Sequence, residues 1–131
     1  MYMDIEKINP ASVHYNPASA HGVLVTGAGR LLFLGGQNGV DIAGNVVVGL
    51  RAQTDQALRN LLSVLGAGGG TPENVVKMTV YLVEGSDPEE AFAAASRVWG
   101  RRPTAMTVVM VSGLANPDFM IEIDAIAAMP A

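Results

Sequence analysis

The sequence predicts an α+β domain in which two helices cover one face of a mixed sheet. Three observations predict it. Val75 to Val83 and Ala105 to Val111 are runs of branched and apolar residues, the composition favoured in strands. Ala57, Leu58, Leu61, Leu62 and Leu65 recur instead at helical spacing, with Arg51, Asp55, Arg59 and Ser63 on the other side. The order of elements then reads strand, hairpin, helix, strand, helix, hairpin, over 131 residues that form one domain.

Taken in order, Ile5 to Ile8 is a short strand stopped by Asn9-Pro10. His14 to Ser19 carries Pro17 and turn-prone side chains, so it is a loop. Gly22 to Thr26 and Leu31 to Leu34 are paired by the Gly27-Ala28-Gly29-Arg30 turn into a predicted hairpin. Asp41 to Asn45 holds a second turn, and Val46 to Val48 is a candidate short strand. From Leu50 the helical period takes over, until Gly66-Ala67-Gly68-Gly69-Gly70 ends it. Thr71-Pro72-Glu73-Asn74 resembles a capped helical turn. Ser86-Asp87-Pro88-Glu89-Glu90 starts a second helix whose predicted face is Ala91, Phe92, Ala95, Val98 and Trp99, with Gly100 as its stop. Ala105 to Val111 and Phe119 to Ala128 are the last strands, expected as a hairpin across the loop containing Gly113 and Asn116-Pro117-Asp118.

Composition limits the functions available. Half the residues are hydrophobic and only 15% are charged, which points to surface hidden in an oligomer. A net charge of −4 offers no basic stripe for phosphates, which argues against nucleic acid. No cysteine is present, so disulfides, thiolate chemistry and cysteine zinc sites are excluded. The first residues lack the regions of a signal peptide, and no apolar run has the length of a membrane span; a cytoplasmic protein is expected.

The chemistry-bearing residues are few. His14 and His21 lack carboxylates at ligand spacing, so no metal is expected. No Gly-x-Ser-x-Gly elbow occurs, and Gly27-Ala28-Gly29 fails the dinucleotide fingerprint; no cofactor is expected. Two stretches stand out. In Leu31–Asp41 an apolar run opens into Gly35-Gly36-Gln37-Asn38-Gly39, which is either a polar hairpin turn or the wall of a small-molecule site. In Phe119–Ala127, Glu122, Asp124 and Ile126 share one face. The two acids either face solvent on an edge strand, or Glu122 orients or deprotonates a water as a general base.

Tyr15-Asn16-Pro17-Ala18, then Leu34-Gly35-Gly36-Gln37 with Val40-Asp41 and Gly44, carry a family resemblance. Gln53 and Asn60, Val75 through Leu82, Arg102-Pro103 and Ile121-Glu122-Ile123-Asp124-Ala125 continue it in order along nearly the whole chain. Together they resemble the RidA/YjgF family of small trimeric proteins. The resemblance implies a chorismate-mutase-like α+β fold and a homotrimer with three clefts between neighbouring subunits. For the best-known branch it implies hydrolysis of reactive enamine or imine intermediates, such as 2-aminoacrylate, to 2-keto acids and ammonia. It matches Glu122 to a water-orienting cleft glutamate and Tyr15 to the cleft wall. It matches Thr107 to a position whose backbone contacts the ligand, and Gly35, Gly36 and Gln37 to the pocket opening.

Two positions depart from the pattern. That branch grips the substrate carboxylate with an arginine where this chain has Ala105. Alanine supplies no part of a bidentate, charge-assisted pair. Arg101 and Arg102 lie three or four strand positions away, about 10 Å, too far to substitute from within the same cleft. The family often has a serine where Gly36 stands. A glutamate without its carboxylate clamp implies a small-molecule ligand other than 2-aminoacrylate, or a trimeric binding or regulatory protein without catalysis.

Overall fold

The computed structural model describes residues 2–131. Two antiparallel strands, β1 (Asp4–Ile8) and β2 (Gly22–Thr26), pair with each other from Asp4↔Thr26 to Ile8↔Gly22. A separate four-stranded sheet is built from β3 (Arg30–Asn38), β4 (Val75–Val83), β5 (Ala105–Val111) and β6 (Ile121–Met129). Its order is β3-β6-β4-β5, with β4 and β5 parallel and the other pairs antiparallel. Helices α1 (Leu50–Ala67) and α2 (Pro88–Trp99) pack on one face, giving the expected α+β architecture of two helices on a mixed sheet.

The core lies between helices and sheet. Leu58, Leu61 and Leu65 of α1 meet Leu34, Met78, Leu82, Ile121, Ile123 and Ala125 from the strands. Truncating one such leucine to alanine costs about 2–5 kcal/mol, so this layer dominates stability. The helix ends follow their local sequence. Gly68 and Gly70 donate to Val64 and Leu65, and Gly69 takes φ +87, a conformation that side-chain-bearing residues seldom adopt. Asp87 caps α2 by accepting from the Glu89 amide, and Asn74 Oδ1 accepts from the Thr71 amide at the 3-10 turn Pro72–Asn74.

Both predicted hairpins are replaced by longer-range pairings. β2 pairs with β1 rather than with β3, because Gly29 donates to Met129 and draws the following strand onto β6. β6 does not return beside β5; it inserts between β3 and β4, where both of its edges are hydrogen-bonded. Its start shifts from Phe119 to Ile121 because the Met120 amide donates instead to Gln53 Oε1 at 2.8 Å. Val46 forms only an isolated bridge to Val40, not a strand. On α2 the predicted Phe92 is exposed. Ala94 is buried in its place beside Ala91 and Trp99, one step round the helix.

Two bulges set which side chains leave the core. Between Leu34 and Gln37, β3 advances three residues while β6 advances two, so Gly35-Gly36 holds one extra residue. Between Val75 and Lys77, β4 advances two residues while β6 advances one. Each bulge reverses the in-and-out alternation downstream of it. The face opposite the helices carries Glu122, Asp124 and Ile126 of β6, with Leu31 and Phe33 of β3, Lys77, Thr79 and Tyr81 of β4, and Ala105 and Thr107 of β5.

Candidate functional site

Glu122 lies on this open face, cross-strand from Asn38 on one side and Tyr81 on the other. Because of the Gly35-Gly36 bulge, Asn38 falls out of phase with the buried Leu34 and points toward Glu122. Its amide nitrogen donates to Glu122 Oε1 at 3.3 Å and to the Ile121 carbonyl at 3.1 Å. Asn38 is itself braced: Asn60 of α1 donates to the carbonyls of Asn38 (3.2 Å) and Val40 (2.9 Å), and Gln56 donates to Asn60. Gly36 completes the setting. A Cβ built there would stand 2.5 Å from Glu122 Oε2, so the carboxylate fills the place of a side chain at position 36.

Among the described residues, Glu122 takes part in no ion pair and Asn38 is its one side-chain donor. One oxygen is thus fixed and the other is free to accept from a water or a ligand. Next along the face, Tyr81 donates its hydroxyl to Asp124 Oδ2 at 3.0 Å. That hydrogen bond, then the charge of Asp124, holds the Tyr81 phenol above its ordinary pKa, with burial and the charge of Glu122 adding to the effect.

The other anticipated residues gather elsewhere. Ala105 and Thr107 lie on β5, cross-strand from Lys77 and Thr79. Lys77 Nζ donates to Thr107 Oγ1 at 2.6 Å. Tyr15 is exposed in the loop before β2, which is tied to β5 by the Ala20↔Ala105 bridge and the Ala20 amide to Thr104 carbonyl bond. Gln37 folds back to its own strand, donating to the Gly35 carbonyl at 3.2 Å. Arg102 is bound to Glu73 at 2.8 Å and to the Trp99 carbonyl. Those contacts hold its guanidinium on Glu73 and the end of α2 rather than on Ala105. Arg101 and Arg102 line a separate 370 Å³ cleft with Lys7 and Glu73.

The sheet therefore brings Gly36 and Glu122 together and sets Ala105 and Thr107 apart from them. Two strand spacings and two residues separate Glu122 from Thr107, about 12 Å, and Ala105 stands about 16 Å away. Asn38, Tyr81, Asp124 and Lys77 are site neighbours that reading the sequence did not single out as a group. The alternation that puts Asp124 beside Glu122 was legible; the bulges that reorient Asn38 and Lys77 have no local sequence mark beyond Gly35-Gly36.

Comparison with known proteins gives a consistent result. Residues 9–129 match the profile described as endoribonuclease L-PSP. A RutC family protein of Pyrococcus horikoshii is 37% identical over 102 residues, covering 76% of this chain and 80% of that protein. The protein DfrA of Myxococcus xanthus is 36% identical over 110 residues, covering 76% and 77%. A Yersinia pestis protein of the conserved Rid family superposes with a TM-score of 0.84 at 33% identity, over 95% of this chain and 98% of its own.

Proposed function

This chain belongs to the RidA/YjgF family, whose profile is described as endoribonuclease L-PSP, and we propose that it hydrolyses a small imine, enamine or related metabolite with Glu122 orienting the water. The observation that carries this reading is the half-satisfied carboxylate: Asn38 holds one oxygen, Gly36 clears room for the other, and among the described residues no cation pairs with it. Such a group accepts a proton from water as the water attacks an imine carbon. Glu122 passes that proton to nitrogen as the C–O bond forms, giving the neutral carbinolamine. It then takes the carbinolamine's hydroxyl proton and delivers it to nitrogen, so that the C–N bond breaks, ammonia leaves with the bonding pair and the C=O bond forms. Atoms balance as imine plus water giving ketone plus ammonia.

The working unit is a homotrimer with the ligand between subunits. Support comes from the open face, where Leu31 and Phe33 are 57% and 69% exposed, and from the separation of Glu122 from Thr107 within one chain. A small ligand touching both groups needs them from two copies. Tyr15, Gly35, Gln37 and Ala105 are assigned to the walls of that cleft. Standard 2-aminoacrylate deamination is not the activity, because Ala105 offers no guanidinium; any carboxylate of the ligand must be met from another position. The site is in the cytoplasm, needs no cofactor, and handles neither nucleic acid nor membrane.

The test is release of ammonia and carbonyl product from a panel of imines generated in place by an amino-acid oxidase. The parent protein accelerates at least one of them over buffer, and Glu122→Ala abolishes the acceleration. Undiminished turnover by Glu122→Ala sinks the reading. Ala105 favours a second one, a trimeric small-molecule-binding or regulatory protein. Robust ammonia release from 2-aminoacrylate counts against that alternative.

A further inference from the structure

Lys77 owes its position to a bulge. Val75, two residues earlier, is buried in the core, and an unbroken strand would place Lys77 on that same helix-covered face. The extra residue between Val75 and Lys77 turns it over, so that it pairs with Ile126 on the open face while Met78 re-enters the core. Within β3, β4, β5 and β6 the other basic residue is Arg30, which lies cross-strand from the buried Met129 and donates to the Pro130 carbonyl. Lys77 is thus the one cation that the strands of this sheet place on the open face.

Its charge is not balanced there. The ammonium reaches past Ala105, its cross-strand partner, to Thr107 Oγ1 at 2.6 Å. Ala105 is a methyl group and leaves that path clear. Among the described residues no carboxylate lies within the 4.0 Å of an ion pair with Lys77; Arg59–Asp55 and Arg102–Glu73 are the pairs formed. Asp124, the diagonal acid on β6, already accepts from Tyr81. A neutral hydroxyl therefore anchors a full positive charge. Two ammonium protons stay free, and Thr107, accepting from Lys77, keeps its own proton to donate.

We propose that Lys77 is an anion-binding residue, receiving the carboxylate of a small organic acid between its ammonium and the Thr107 hydroxyl, above Ala105. The proposal deepens the reading of the preceding subsection and rests on it for the open face being the ligand's. It narrows the substrate class to small carboxylates held by a compact point charge. Such a charge imposes no planar, two-point geometry of the kind a guanidinium demands. The anion is displaced toward β4, on the side of the face that Lys77 occupies.

Pyruvate serves as the carboxylate probe and pyruvamide as its neutral counterpart, titrated into the full chain while the Ala105 and Thr107 amides are followed by NMR. Pyruvate shifts these amides to saturation and pyruvamide does not. Lys77→Met weakens pyruvate binding by about tenfold or more, Thr107→Val by several-fold, and Lys77→Arg by no more than about threefold. Arg101→Met, a cation off this face, leaves binding unchanged. The proposal is overturned if pyruvate causes no shift, if pyruvamide binds equally well, or if folded Lys77→Met binds pyruvate like the parent. Should Lys77→Met fail to fold, Thr107→Val decides alone, parent-like affinity overturning the proposal. Loss of pyruvate binding leaves turnover by Glu122 to stand or fall on its own assay, so the two readings fail separately.

Discussion

Gly36 and Glu122 occupy one another's space: the glutamate's Oε2 lies 2.5 Å from where a Cβ on residue 36 would sit, its Cδ 2.7 Å and its Cγ 3.0 Å. Gly36→Ala therefore forces the carboxylate into another rotamer and off Asn38. The displaced group ends a flexible side chain, so the stability cost is about 1 kcal/mol, readable by urea denaturation. Imine turnover falls by about tenfold or more, since one lost hydrogen bond to a charged acceptor is worth about 1.5–3 kcal/mol. Parent-like turnover in a folded Gly36→Ala protein would show that the orientation of Glu122 is irrelevant.

Gln53 ties α1 to the strand ends. It is 2% exposed, donates to the carbonyls of Val47 and Asp118, and accepts from the Met120 amide that precedes β6. Gln53→Leu keeps the volume and orphans all three groups. The expected loss is about 2–4 kcal/mol in chemical denaturation, most of it the cost of leaving buried polar groups unpaired.

The Tyr81–Asp124 bond predicts an alkaline signature. The folded phenol titrates above the ordinary tyrosine value. A raised folded pKa means that the folded state holds this proton more tightly than the unfolded chain. The stabilisation is fully present below the ordinary tyrosine pKa and is lost as pH rises through the folded value. Ultraviolet titration of tyrosinate should show one of the three tyrosines titrating late in the parent. In Asp124→Asn that late step moves down toward the ordinary value. An unchanged titration in Asp124→Asn would remove the assigned cause.

Phe33 is the largest apolar side chain left uncovered on the open face, at 69% exposure. Phe33→Asp places a charge where the proposed subunit contact would bury it, a change that costs several kcal/mol per site. Sedimentation should give three times the chain mass for the parent and the chain mass for the variant. A parent sedimenting as a single chain would remove the trimer and, with it, the shared cleft.

Much of the fold was legible because its signals are local. The β-branched run of β4 and the 3.6-residue period of α1 give those elements nearly to the residue, and Gly100 marks the end of α2. Pairing is not a local property. The Gly27–Arg30 turn looks like a hairpin, yet the partner of Leu31 is Ala128, recruited through a strand far along the chain. The candidate site divides in the same way. Glu122 and Gly36 were visible as an acid in an apolar strand and a glycine in a polar bend. Their neighbours Asn38, Tyr81 and Lys77 come from three separate segments, and only the register of β3 and β4 on β6 brings them to one face. Phe92 was misplaced because α2 is short and alanine-rich, so a rotation of one residue leaves its apolar pattern almost unchanged.

The central place of β6 governs how the chain must acquire its shape. Until residues 121–129 have been synthesised, β3 has no partner, β4 has β5 on one side only, and Gly36 has no carboxylate to face. What emerges first can form α1 and the β4–α2–β5 crossover, but the apolar strand β3 then waits with both edges open. Sequence-distant pairing of this kind slows folding, because a long loop must close before any ladder bond is gained. Newly made chains thus pass through a period of exposed strand edges, and the last strand to arrive is also the one that carries Glu122.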